Sequence, residues 1–287
     1  MSFSETVLLG ALAGFTIYLG LPVGRLRLLS DRTRVALAMF AVGILAFIFV
    51  DVLSHAKEIV EEALSGFKDG NRSFGHVLVM ALLLIGGFGL GSAGLGVLER
   101  RMRPGPRPPL PVAGGSDAAA FSVADTARLS GEADGVRRRA LETGVVIATA
   151  IGLHNFAEGL AIGVSARAGA ISLATVLIIG FALHNATEGF GIVGPLGSVT
   201  PSWRWLALVG LIGGGPTFLG SMVGYQVTSA PLELGFYALA GGAILYVIGE
   251  IWHGMRRYGH RELGLMLLAA GFAAGIVTDL VVAYGGG

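Results

Sequence analysis

Eight stretches of roughly 20 apolar residues divide this chain, near residues 6–24, 35–56, 74–98, 142–166, 169–194, 205–228, 232–253 and 262–284. Runs of that length constrain the fold more than any other feature. In hydrocarbon an unpaired backbone N–H or C=O costs several kcal/mol, so only helices and closed barrels cross it. The runs are continuously apolar rather than alternating, which excludes barrel strands. The chain is therefore expected to be all-α: a polytopic membrane protein with eight transmembrane helices. Charged residues make up only 14% of it, against about 25% in soluble domains. Glycine is frequent, at 47 residues, as expected where membrane helices approach through small faces. Cysteine is absent, which excludes disulfides, thiolate zinc sites and dithiol redox chemistry.

The basic residues set the expected orientation. Arg25, Arg27, Arg32 and Arg34 lie between the first two runs. Arg100, Arg101, Arg103, Arg107, Arg128 and Arg137 to Arg139 follow the third, Arg204 follows the fifth, and Arg256, Arg257 and Arg261 follow the seventh. The alternate connections hold only Lys57, Lys68, Arg72 and Arg167. The positive-inside rule assigns the first group to the cytoplasm and both termini to the extracellular or periplasmic side. The chain reads as one transmembrane domain, 1–287, with one long connection, residues 99–139. Its Pro, Gly, Ala, Ser and Asp content reads as a flexible cytoplasmic loop, in which Phe121 to Leu129 offer at most a short interfacial helix. The N-terminus lacks a basic n-region, so the first run is expected to be a retained span. Small size and the lack of eukaryotic targeting features suggest a multi-pass protein of a bacterial-type (inner) cell membrane.

Two of the runs carry the same polar motif. His154-Asn155-Phe156-Ala157-Glu158-Gly159 and His184-Asn185-Ala186-Thr187-Glu188-Gly189 repeat H-N-x-x-E-G at a distance of 30 residues. Ionisable groups at membrane depth are costly and are kept where they pair, bind an ion or line a pathway. Residues four apart share a helix face, so each copy points an imidazole and a carboxylate the same way. Two such helices side by side offer two nitrogens and two oxygens to one cation, a donor set suited to zinc and its first-row neighbours. The plain alternative is two hydrogen-bonded pairs that hold the bundle together. Asn155 and Asn185 are rotated from the histidines by about 100° and fit either as edge ligands or as interhelical hydrogen-bonding groups.

Other polar residues lie in the runs. Asp51 and His55 form another i, i+4 pair near the outer end of the second, and fit a vestibule for incoming metal or a solvated helix end. Glu250 and His253 lie near the cytoplasmic end of the seventh and fit a release relay or an interfacial pair. Asp279 lies in the eighth. The acidic stretch Glu58, Glu61, Glu62 and Asp69 can raise local cation concentration or form a solvated face.

The paired motifs, eight spans, outward termini and long third connection together resemble the ZIP family of divalent-metal transporters. In that family the fourth span carries H-N-x-P-E-G and the fifth a related x-[ND]-x-P-E-G. Asp51-Val52-Leu53-Ser54-His55-Ala56 stands where many members have H-L-L-P-E-A. Ala240 to Val247, followed by Glu250, is similar to the family's seventh span. The resemblance implies a main transport site of His154, Glu158, His184 and Glu188, and a neighbouring second site lined by Asn155, Asn185 and the same two glutamates. It also implies alternating access, with the fourth and fifth spans moving against the rest, and a homodimer. Several positions depart from the family. Ala157 and Thr187 replace the motif prolines, so the kinks expected of them are expected to be weaker. Gly213-Gly214-Gly215-Pro216 has no acid before the proline. Asn185 is neutral where some relatives have Asp. Around Ile44 and Leu45 the second span is apolar where some relatives supply a further ligand. A weak or absent second site, and so a mononuclear one, is the expectation.

The chain thus reads as a transporter of Zn²⁺ toward the cytoplasm, with Cd²⁺, Fe²⁺ and Mn²⁺ as alternative substrates. Nothing in it reads as an organic-cofactor or nucleic-acid site; its expected partners are divalent metal ions and the lipid bilayer. The rival from another class is an intramembrane metal-dependent hydrolase using the same ligands. That enzyme needs an open metal position and a positioned base, and H-E-x-x-H is absent.

Overall fold

The structure is a computed structural model that describes residues 1–26, 30–102, 123–167, 178, 182, 185–197, 199–226 and 229–285. Among the described residues there are helices and no strands. Seven helices are long and apolar enough to cross a membrane. They are α1 (Phe3–Arg25), α2 (Asp31–Lys68), α3 (Phe74–Leu98), α4 (Val123–Arg167), α6 (Trp203–Gln226), α7 (Ala230–Met255) and α8 (Arg261–Gly285). The expected fifth span is described only in part; its helical residues 185–193 are α5 here, and most of the remainder, His184 included, lies outside the described residues.

Local chemistry starts these helices. Ser2 and Glu5 form a capping box on α1. The hydroxyls of Ser30, Ser73 and Ser202 accept from the backbone N–H groups of Thr33, His76 and Trp205 at the starts of α2, α3 and α6. Each satisfies a donor that the first helical turn leaves open.

Two helices outrun their apolar runs. α2 continues to Lys68 through the acidic stretch after residue 56, with Lys57 and Glu61 paired 3.0 Å apart on its surface. α4 begins at Val123, inside the stretch that composition reads as a flexible loop, and Leu95–Met102 extends helix into its other end. Residues 103–122, the proline-rich part, lie outside the described residues. The helix at 123–139 draws on its four Arg and three Ala, good helix formers in water, which a search for apolarity does not register. Arg138 and Glu142 add an i, i+4 pair at 3.7 Å.

Packing divides the helices into two groups. α6 lies against both α4 and α1, and α5 against α1. α7 lies against α2 and α3, and α8 against α2. α4 and α7 join the groups, with the Phe156 and Phe236 rings 4.6 Å apart. Within the first group the backbones touch: a Cβ at Gly159 would strike the Thr217 carbonyl oxygen of α6, and one at Gly220 the Phe156 carbonyl oxygen of α4. Lipid tails are as apolar as leucine, so approach this close, rather than hydrophobic burial, is what holds membrane helices together. α3 widens into a π-turn at Leu90–Gly94 where it meets α7.

Candidate metal centre

α4 brings the first motif copy to the middle of the bundle. It runs unbroken from Val123 to Arg167, in keeping with Ala157 in place of a proline: with an N–H at that position, nothing interrupts the ladder. His154 and Glu158 therefore stack on one face, with His154 Nε2 2.7 Å from Glu158 Oε1. α5 supplies Glu188, whose Oε1 is 3.9 Å from the same imidazole nitrogen. One nitrogen and two carboxylate oxygens from two helices thus converge.

The residues around this point are sealed. His154, Asn155, Glu158, Asn185 and Glu188 are between 0% and 4% exposed. Holding two carboxylates there as anions costs several kcal/mol each unless a cation or hydrogen bonds compensate, so the cluster favours a positive partner. Among the described residues no three His, Asp or Glu side chains stand in a ready metal-binding arrangement. His154 and Glu158 are instead drawn onto one another. His184 lies outside the described residues, so its place relative to these groups is not part of the geometry.

The two asparagines behave alike. Asn155 Nδ2 donates to the Gly213 carbonyl at 2.9 Å and to Glu188 Oε2 at 3.1 Å. Asn185 Nδ2 donates to the Ala13 carbonyl at 3.1 Å. Their side-chain oxygens have no hydrogen-bond partner among the described residues. The carbonyl partners were not among the sequence candidates. Only the triplet Gly213-Gly214-Gly215 before Pro216 hints at them, because a helix without side chains lets a neighbour reach its backbone.

The candidate pathway residues lie elsewhere. Asp51 Oδ1 and His55 Nδ1 are 4.0 Å apart on α2, each side chain about half exposed. The His55 ring meets Tyr237 of α7 edge-on at 5.8 Å, and Tyr237 and Glu233 interact through their side chains. Glu233 and Tyr237 are thus members of this cluster that residue-by-residue reading of the sequence passed over; the signal was an acid in the first turn of the seventh run. Glu250 is half-buried and His253 exposed. They lie toward the other end of α7, with His253 some 24 Å beyond Tyr237 by helical rise. The structure does not bring these two pairs together.

A family model described as ZIP zinc transporter matches residues 124–276, a span that contains both motif copies. The zinc transporter ZupT of Clostridium perfringens (strain 13 / Type A) is 29% identical over 156 residues, covering 53% of this chain and 54% of ZupT. The match thus spans about half the length of that relative.

Proposed function

The chain belongs to the ZIP zinc transporter family, and on that premise we propose that it carries a divalent cation, Zn²⁺ foremost, across a cell (inner) membrane into the cytoplasm. The site in this reading is His154, Glu158, His184 and Glu188. The observation that carries it is the meeting of His154 Nε2 with Glu158 Oε1 and Glu188 Oε1, at 2.7 and 3.9 Å, inside a sealed bundle. Two neutral imidazoles and two carboxylates around M²⁺ give no net charge, which offsets much of the cost of bringing the ion to membrane depth.

Burial also bears on mechanism. Side chains no more than 4% exposed leave an ion no route to either side while the helices stay as they are, which supports alternating access over an open pore. The helices that move together in this reading are more than the two that carry ligands. α4 is interlocked with α6, α6 with α1, and α1 with α5 through glycine contacts, so sliding α4 and α5 past α1 and α6 would drive backbone into backbone. The four helices move as one body, against α2, α3, α7 and α8. Asp51 and His55, with Glu233 and Tyr237 beside them, serve as the vestibule on the side the charge pattern assigns to the exterior. Glu250 and His253 serve on the cytoplasmic side. The hydrolase alternative gains no support, since the family matched is one of transporters.

The test is ⁶⁵Zn²⁺ flux into proteoliposomes, wild type against His154→Ala/Glu188→Ala. Saturable flux lost in the double variant is the expected result. Absent flux with zinc still bound stoichiometrically by the wild type would sink transport and leave a resident metal site.

A further inference from the structure

Asn155 is fully buried, and a backbone carbonyl settles the orientation of its amide. A carbonyl oxygen only accepts, so the 2.9 Å contact with Gly213 O identifies the atom there as the nitrogen. The same logic fixes Asn185 through Ala13 O. Both acceptors lie at one place, the crossing of α1 and α6, where a Cβ at Gly14 would strike the Gly214 carbonyl oxygen. Each motif copy is therefore seated on this crossing by its asparagine. Asn155 does something more. Its nitrogen also faces Glu188 Oε2 at 3.1 Å, which leaves Oε1 as the oxygen turned toward His154.

We infer that Asn155 is a positioning residue and not a metal ligand: its amide holds Glu188 Oε2, aims Oε1 at the ion, and takes the place of a second cation, so that the site holds one divalent ion. The inference rests on the proposed metal site of His154, Glu158 and Glu188. Amide hydrogens carry partial positive charge, and a cation approaching Oε2 from their side would meet them. They neutralise part of the Glu188 charge as a second metal would. The sequence agrees, for Gly215 has no side-chain oxygen at the position where the family resemblance places an acid. An outer contact that orients a ligating carboxylate is worth roughly 10- to 100-fold in metal affinity. An interhelical hydrogen bond that only joins helices changes an equilibrium by about threefold, so the two roles are separable by size.

The experiment titrates Co²⁺ into the full-length chain in detergent and follows its d–d absorption, with zinc competition for affinity. The wild type is expected to saturate at one Co²⁺ per chain. Asn155→Ala should keep that stoichiometry, weaken binding roughly 10- to 100-fold and change the d–d bands as Glu188 loses its fixed orientation. Asn155→Asp should bind no better than Asn155→Ala, since it sets a carboxylate against Glu188 and the Gly213 carbonyl. Two Co²⁺ per wild-type chain would overturn the inference without any variant. So would Asn155→Asp at wild-type affinity, the result expected of an Oδ1 ligand, or an Asn155→Ala loss of threefold or less. In those cases Glu188→Gln, which should abolish Co²⁺ binding, shows that the metal site itself stands. A wild type that binds no Co²⁺ would overturn both.

Discussion

α4 and α3 are both long, glycine-bearing membrane helices, yet their surroundings are opposite. In the most apolar window of α4, 72% of residues are buried; in that of α3, 11%, and in that of α8, 17%. The buried helix carries His154, Asn155 and Glu158, while α3 turns Leu78, Val79, Leu82 and Ile85 outward. In water a sequence would hide its leucines and show its charges. Here lipid accepts leucine at no cost, and the interior is reserved for groups that lipid rejects. The glycines follow the face they stand on: Gly91 of α3 meets the Leu239 carbonyl of α7, while others on that helix are open. Gly159 is pressed against a backbone carbonyl of α6, whereas Gly86 has nothing within 4 Å of where a side chain would begin. Backbone contact occurs in both groups, as at Gly43 and Gly271 between α2 and α8; what sets the α4 group apart is that its shielded centre holds the ionisable residues.

The sharpest way to break that division is to tie the halves together. Because the chain has no cysteine, paired thiols can be placed without background. Joining Phe156→Cys on α4 to Phe236→Cys on α7 with a short bis-thiol reagent should abolish zinc flux, since it bridges bodies proposed to move apart. Joining Phe3→Cys to Tyr225→Cys, across α1 and α6 where the rings stand 5.5 Å apart, should leave flux near its uncross-linked level. Equal inhibition by both would dissolve the two-body description.

Next in size is overpacking. Gly159→Leu should cost about 3 kcal/mol or more, because its neighbour is backbone and cannot rotate away. Gly86→Leu should stay within about 0.5 kcal/mol of wild type. Thermal unfolding in detergent compares them, and similar losses would show that α3 is packed in a way the structure does not contain.

A smaller effect concerns the ligands. Histidine must be neutral to bind metal, so protons compete with the ion and uptake should fall as the medium is acidified. Stability present at neutral pH is not at issue here; the proton competes with the ion. Flux that does not change on acidification of intact protein would argue against histidine ligands. Smallest is the vestibule. Asp51→Asn removes one half-exposed charge and should raise the apparent KM for zinc roughly two- to threefold, with less effect at high salt. An unchanged KM would make Asp51 and His55 an ordinary solvated helix end.

Much of the fold was legible because hydropathy reads the environment directly. Seven of the eight expected spans correspond to described helices, and the two residues that pair across one turn, His154 and Glu158, followed from spacing alone. What apolarity does not mark was lost: the extension at residues 57–68, and the continuity of 123–139 with the fourth span, lie in polar sequence, and in water helix and linker draw on overlapping residue types. The role of Asn155 was ambiguous for a different reason. Its partners are the Gly213 carbonyl and a carboxylate 33 positions away, and a backbone acceptor on a neighbouring helix leaves no signature in residue identity. The gathering of Asp51, His55, Glu233 and Tyr237 was missed because it needs the α2–α7 contact, which no local pattern encodes.

The length of α4 has a mechanical consequence. Its 45 residues make a rod of about 68 Å, more than twice the hydrocarbon thickness of about 30 Å. From Glu158 to its first residue, Val123, is 35 positions, an arm of about 52 Å. A tilt of about 10° at the ligands would sweep that far end through roughly 9 Å. The helix is a pointer fixed to the ion's own cradle. A probe pair spanning its tip and α8 would report displacement at the binding centre with a gain that no label inside the bilayer can match.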